Sequence, residues 1–507
     1  MTSHRGSRVR KTLLVAALVL SAPHRAAAQR TPDFAMFDRY VEMAARDWNA
    51  VGLGIAVVKD DSLAFAKGYG VIELGKAARV DEHTRFAVGS TTKAMTSAAL
   101  AILVDEGKLR WDDKVVDHIP GFRLYDAYAS SELTIRDLLT HRSGMPGTDL
   151  FWAIDENTLS FPEIMKRLRY VRPSSSFRST FAYQNVMYAV TGSIIERASG
   201  VPWEGFIRSR IFAPLGMTES EALVSQIAGK TNVATPHAVV RDTIRIVPVK
   251  STDGVAPAGS VWSSVSDMSR WMRFMLDSGR VGTTRLISPA TFRELVAPQI
   301  RAPLATYPAL QLAAPHSLSY ALGWFVQDYN GKTVWMHTGS INGMSAIVGL
   351  IPEDRIGVCV LGNLDHIELR HALMYTAFDL YGSGKTRDWS RDLKALLASQ
   401  QLARAPGTAA PHVVTASPSL RLATYAGTYA DSAYGKVVVS VAGGALNARF
   451  EKLDMGVLDH WDYEVFRTRA KSALDAPTSL TFQTNGSGGV SAVRVYGVSF
   501  TRERTGP

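Results

Sequence analysis

The stretch from residue 85 to residue 107 constrains this chain more than any other. Arg85-Phe86-Ala87-Val88 reads as extended, Gly89 supplies a flexible turn, and residues 94–107 carry apolar residues at helical spacing up to a glycine stop. Ser90 and Lys93 fall at the head of that helix. Residues three apart share a face, so the lysine amine can approach the serine hydroxyl, and the free backbone N–H groups and helix dipole favour negative charge there. A serine and an amine so placed turn an alcohol into a nucleophile. The same four residues also suit a capping serine followed by a solvated lysine, so the choice falls to motifs elsewhere in the chain.

Two such motifs follow. Phe181-Ala182-Tyr183-Gln184-Asn185 places a phenol and an amide two residues apart, just before a helix read at 186–198 and stopped by Gly200. Trp335-Met336-His337-Thr338-Gly339-Ser340 ends an apolar strand in a small-residue turn. In this order the three segments resemble the serine β-lactamase and penicillin-binding-protein superfamily, closest to class C β-lactamases and the esterases and peptidases related to them. Further segments look like recurring parts of that family: Leu133 to Pro146, which contains His141, then Pro214-Leu215-Gly216-Met217, Ala256-Pro257-Ala258-Gly259-Ser260 and Tyr320-Ala321-Leu322-Gly323-Trp324. Together they cover about residues 33–385.

The resemblance implies an α/β (α+β) fold in which N- and C-terminal strands join in one antiparallel sheet, with a largely helical region inserted and the active site at the junction. It implies that Ser90 attacks a carbonyl carbon to form an acyl-enzyme, with Lys93 and Tyr183 sharing proton transfer. Asn185 would bond Lys93 and the amide of the acyl side chain, the backbone N–H groups of Ser90 and Ser340 would form the oxyanion hole, and Gly339 would let the strand edge approach substrate. His337 stands where many β-lactamases carry the lysine of K-T-G. An unperturbed histidine is mostly neutral at pH 7, which disfavours an anionic β-lactam and leaves an ester, amide or peptide substrate at least as suitable. Two other readings stay open: a true β-lactamase or D-alanyl-D-alanine carboxypeptidase, and a non-catalytic cell-envelope binding protein.

Local patterns fit this plan. Residues 33–49 read as an amphipathic helix, 53–58 and 63–68 as a hairpin around Lys59-Asp60-Asp61-Ser62, and 333–337, 344–351 and 356–361 as a meander. The catalytic domain is expected over residues 29–385. Residues 386–418, with Pro406, Gly407, Pro411 and Pro418, read as a linker that contains one plausible helix. Residues 419–507 then show period-two runs such as Val437-Val439-Val441, with turn signals at Gly443-Gly444 and Asn485-Gly486. They are expected to form a small all-β, barrel-like domain. Tyr425-Ala426-Gly427-Thr428-Tyr429 and His460-Trp461 resemble the lipocalin-like domain often appended to this family.

Composition excludes other classes. Of 507 residues, 46% are hydrophobic and 20% charged, as in ordinary globular protein. Residues 1–28 read as a signal peptide, basic residues before an apolar run and Ala26-Ala27-Ala28, so a secreted or periplasmic protein is expected, without an integral membrane segment. That segment carries five basic residues and no acidic one, so the net charge of +10 falls to +5 without it, and no Lys/Arg cluster suits nucleic acid. Cys359 is the sole cysteine, set in an apolar strand, and reads as an inert thiol. No histidine pattern has zinc-ligand spacing, and Val88-Gly89-Ser90-Thr91-Thr92 is not the G-x-S-x-G elbow of α/β-hydrolases. No metal or cofactor is expected, and the partner is a small-molecule or peptide substrate. Oligomeric state is not legible in the sequence.

Overall fold

The computed structural model describes residues 1–2, 32–147, 150–153, 159–382, 387–404, 417–470 and 477–504, so the expected signal segment lies almost wholly outside the described residues. The first helix, α1 (Phe34–Asp47), begins where the Asp33 carboxylate accepts the N–H of Met36 at 2.8 Å, and it buries Phe37, Val41, Ala44 and Ala45 along one stripe. The hairpin β1 (Gly52–Lys59) and β2 (Ser62–Gly70) follows. The helical region includes α2 (Thr92–Asp105), α3 (Asn185–Ser199) and α4 (Val265–Leu276). The chain then returns through β3 (Ile300–Arg301), β4 (Leu318–Tyr320), β5 (Phe325–Tyr329), β6 (Lys332–Ile341), β7 (Met344–Ile351) and β8 (Ile356–Gly362), and ends this unit with α5 (Leu369–Asp379) and α6 (Trp389–Arg404).

These strands form one antiparallel sheet of eight in the order β2-β1-β8-β7-β6-β5-β4-β3. β1 pairs with β8 from Leu53↔Gly362 to Lys59↔Ile356, so the two ends of the domain meet at the sheet centre, as the resemblance implies. Both faces of that centre are covered, which is why β1, β7 and β8 read as continuous apolar runs. Leu53, Ile55 and Val57 pack with α1 and α5, whereas Ala56 and Val58 join a second core with α2 and α4. Cys359 is fully buried in β8, and burial pushes its thiol up.

The interval expected as a linker contains more order than a connector. Trp389 and Leu393 of α6 lie in the α1 and α5 core, and the Trp389 ring stacks on Tyr375 at 4.5 Å. The first part of that interval therefore belongs to the packing of the first domain, and residues 405–416 lie outside the described residues. Beyond it, β9 (Gly427–Asp431), β10 (Gly435–Ala442), β11 (Ala445–Phe450), β12 (Leu453–Asp462), β13 (Val465–Thr468), β14 (Ser479–Thr484), β15 (Val490–Val495) and β16 (Val498–Arg502) close a barrel. Gly443 and Gly444 turn the β10–β11 hairpin, both at positive φ, a region open to glycine at no steric cost. Side chains fill the barrel interior, among them Tyr425, Tyr429, Val437, Phe466, Phe482 and Phe500. Among the described residues, no helix is long and apolar enough to cross a membrane.

Replacing Trp389 by Ala opens a cavity in the first domain, at a cost of about 3–5 kcal/mol. The expected result is a lowered denaturant midpoint for that domain, and an unchanged midpoint would show that α6 is a mere connector.

Candidate active site

Ser90 lies in a single 3₁₀ turn, Gly89–Thr91, that runs directly into α2, so the helix begins one turn earlier than its apolar pattern suggests. Gly89 adopts φ +53°, and a Cβ there would stand 2.7 Å from the Ser340 nitrogen. The facing residue is tighter still. A Cβ on Gly339 would stand 1.9 Å from the Val88 carbonyl oxygen and 3.1 Å from the Ser90 nitrogen. Only a strand without a side chain at 339 can lie this close to the Ser90 turn, which sets the backbones of Ser90 and Ser340 face to face.

Lys93 is fully buried behind Ser90. Its Nζ lies 3.0 Å from Ser90 Oγ, 2.8 Å from Asn185 Oδ1 and 2.7 Å from the Ala258 carbonyl oxygen. The same nitrogen sits 4.8 Å from the centroid of the Tyr183 ring and 5.3 Å from that of Tyr188. Asn185 is the first residue of α3, and Ala258 lies on the short helix Ala256–Gly259 that packs against α2 and α3. Ser90 does not cap its helix, and the hydroxyl meets the amine instead, so the solvated-lysine reading fails.

Ser90, Tyr183, Asn185, His337 and Ser340 line one cleft of about 540 Å³, with Trp152, Phe181, Tyr307 and Phe325 forming much of its apolar wall. His337 is not placed as a substrate-charge selector. It is only 1% exposed, its Nδ1 lies 2.6 Å from the Thr338 carbonyl oxygen, and its Nε2 lies 3.0 Å from Tyr320 Oη. The carbonyl can only accept, so the proton resides on Nδ1 and Nε2 accepts the tyrosine O–H. Burial and the nearby charge of Lys93 push this imidazole down to about 3, so it is a neutral part of the wall.

Two residues here had no assigned role in the sequence reading. His141, at φ +56°, accepts the N–H of Ala182 through its carbonyl at 2.8 Å and the N–H of Gln184 through Nδ1 at 3.1 Å. Its ring packs 4.3 Å from the Tyr183 ring, so one histidine holds the backbone on both sides of Tyr183. Burial, then the charge of Lys93, holds its imidazole well below the usual range. Arg370 on α5 is the second. Its Nη1 donates to the Gly339 carbonyl at 2.7 Å and to Ser340 Oγ at 2.8 Å, and its Nη2 reaches Glu368 at 2.9 Å. Holding the Gly339 carbonyl from behind fixes the orientation of the Gly339–Ser340 peptide. Arg370 also lines the cleft, as does Lys250.

Comparison with known proteins gives the family and the fold. Residues 37–382 match the Beta-lactamase family model. The chain belongs to the β-lactamase family. Residues 411–505 match a further family described as a domain of unknown function, DUF3471. Among relatives, Unguisins hydrolase ungD of Aspergillus violaceofuscus is 28% identical over 449 residues, which span 82% of this chain and 79% of that protein. Protein flp of Staphylococcus aureus strain N315 is 24% identical over 342 residues, 65% of this chain and 62% of that protein. The octameric penicillin-binding protein homologue from Pyrococcus abyssi shares the fold, with a TM-score of 0.61 at 21% identity over 93% of this chain and 99% of its own. Hydrolases of this family are the setting in which the Ser90 cleft is to be read.

Two of the buried histidines, His141 and His337, predict a pH dependence of stability. Both are held neutral when folded, whereas the unfolded chain takes up protons near pH 6.5. Their contribution is therefore complete above that value and is lost as pH falls from it toward 3. Thermal melts are expected to show loss between about pH 7 and pH 5, by up to about 1.4 kcal/mol per pH unit for each histidine. His337→Gln should flatten that slope, and an unaltered slope would show that His337 is not the group responsible.

Proposed function

We propose that this protein is a serine hydrolase that forms an acyl-enzyme on Ser90 and hydrolyses an ester, amide or peptide bond. The observation that carries this reading is the short bond between Lys93 and Ser90 inside a substrate-sized cleft. Of the three oxygens around Lys93 Nζ, those of Asn185 and Ala258 accept only, whereas Ser90 can also donate. To act as base Lys93 must first be neutral, and the amine then donates to the first two and turns its lone pair to the Ser90 proton. As the hydroxyl attacks, Lys93 takes that proton and returns it through Tyr183, whose ring lies against the amine: the phenol protonates the leaving group and is itself reprotonated from Lys93. The Ser90 and Ser340 N–H groups receive the developing oxyanion. Asn185 holds Lys93 at the nucleophile and meets the acyl chain.

A relative named as a hydrolase supports the activity class, and the motif order supports the nucleophile. The basic and apolar pattern of residues 1–28, which suits a signal peptide, supports a secreted or periplasmic location for this activity. A second reading, an enzyme for carboxylate-bearing β-lactams or D-alanyl peptides, draws support from Lys250, a basic side chain in the cleft lining.

Incubation with a fluorophosphonate followed by intact mass tests the reading. Ser90 is expected to take the label, and Ser90→Ala to abolish both labelling and turnover of p-nitrophenyl acetate. Lys93→Ala and Tyr183→Phe should each lower kcat by about a hundredfold or more. Near wild-type turnover by Ser90→Ala would end the proposal. Nitrocefin turned over in preference to the ester would select the second reading.

Gly339→Ala tests the oxyanion geometry. The new methyl has no room beside Val88, so the strand must withdraw from Ser90, with kcat expected to fall by about a hundredfold while the protein remains folded by circular dichroism. Unchanged kcat would remove Ser340 from the oxyanion hole.

A further inference from the structure

Among the described residues, the turn between β9 and β10 carries the barrel's apolar contact with the catalytic domain. Asp431 Oδ1 accepts the N–H groups of Ala433 and Tyr434 at 2.8 and 2.9 Å, which preforms the turn between β9 and β10. Ala433 is 2% exposed and belongs to the apolar core of the catalytic domain, not to that of the barrel. Tyr434 packs against both cores. Its ring stacks on Phe151, with centroids 4.9 Å apart and planes 28° from parallel. A second contact, Arg167 to Glu451 at 3.9 Å, lies beside the same turn.

Phe151 is followed directly by Trp152. Phe151 is 3% exposed, whereas Trp152 lines the Ser90 cleft. Both stand on a helix of only four residues, Leu150–Ala153. A helix that short has no stability of its own, so its position is set by what its side chains pack against. On one side that is Tyr434 of the barrel; on the other it is the apolar wall of the cleft, where Phe181, Tyr307 and Phe325 complete the lining.

We infer that the barrel is a specificity element: its Ala433-Tyr434 turn seats Phe151, which places Trp152 as a wall of the cleft for an apolar, ring-bearing acyl group. The inference rests on Ser90 being the nucleophile of that cleft. Tyr434 is a positioning residue and does not touch substrate. Loss of the stack frees Trp152 and weakens the binding of large acyl groups, while a small acyl group, which does not reach the wall, is unaffected.

The test uses the full chain and two esters, p-nitrophenyl acetate and p-nitrophenyl phenylacetate. Tyr434→Ala is expected to raise KM for the phenylacetate by about tenfold, with kcat and all acetate constants within about twofold of wild type. Phe151→Leu, which removes the stack from the catalytic side but keeps apolar volume, should give the same selective shift and guards against misfolding of the first variant. Trp152→Ala should raise the phenylacetate KM at least as much, and Tyr434→Ala added to it should bring no further loss, because both act through one side chain. An unchanged phenylacetate-to-acetate ratio in Tyr434→Ala and Phe151→Leu would overturn the inference, as would additive losses in the double variant. Failure of the underlying hydrolase reading looks different: the wild-type protein would turn over neither ester and Ser90 would take no fluorophosphonate.

Discussion

A single buried amine organises the catalytic half of this protein. Lys93 has no exposure, and an ammonium or amine removed from water is strongly unfavourable unless every N–H finds an oxygen. Its three oxygen partners come from the Ser90 turn, the start of α3 and the Ala258 carbonyl, positions separated by 92 and 165 residues from the lysine in the second and third cases. Helix α2 can pack only when all three segments have arrived. The family segment around Ala258 thereby acquires a physical reason, since its carbonyl serves the same nitrogen that meets Ser90. Gly192, where a Cβ would stand 2.5 Å from Pro257, lets α3 close on that segment.

Around the amine, the site is assembled from backbone held at unusually close range. Gly339 permits the approach of β6 to the Ser90 turn, and Arg370 fixes the peptide that approaches. His141 performs the matching service for Tyr183, by accepting from the chain on either side of it. Neutral His337 and Tyr320 fill the space between without adding charge beside Lys93. The chemistry thus rests on side chains whose work is to hold other groups still.

What was legible in the chain follows from the range of each interaction. Ser90 and Lys93 were legible because three residues on a helix make one face, and Tyr183 and Asn185 because they open a well-marked helix. Gly443-Gly444 announced its turn by residue type alone. His141 and Arg370 were not legible in this way: their partners lie 43 and about 30 residues off, and nothing in the spacing connects them. The hydrogen bonds of His337 were not legible either, because its position in the motif says nothing about Tyr320, whose hydroxyl takes up Nε2. The linker reading erred for a related reason. Prolines after residue 404 are a local signal, whereas the burial of Trp389 depends on Tyr375 across the domain.

The pairing of β1 with β8 has a consequence in time. Strand β1 is finished by residue 59, but its partner ends only at residue 362, so about three hundred residues must be synthesised before the sheet has a centre. Contacts this far apart in sequence form late and slowly, since the intervening chain must be closed as a loop first. Gly339, which lies against the nucleophile turn, comes from the same late segment. A nascent chain that has passed Ser90 therefore waits about 250 residues for the strand that lies against it, and about 145 residues still follow β8 once the sheet has its centre.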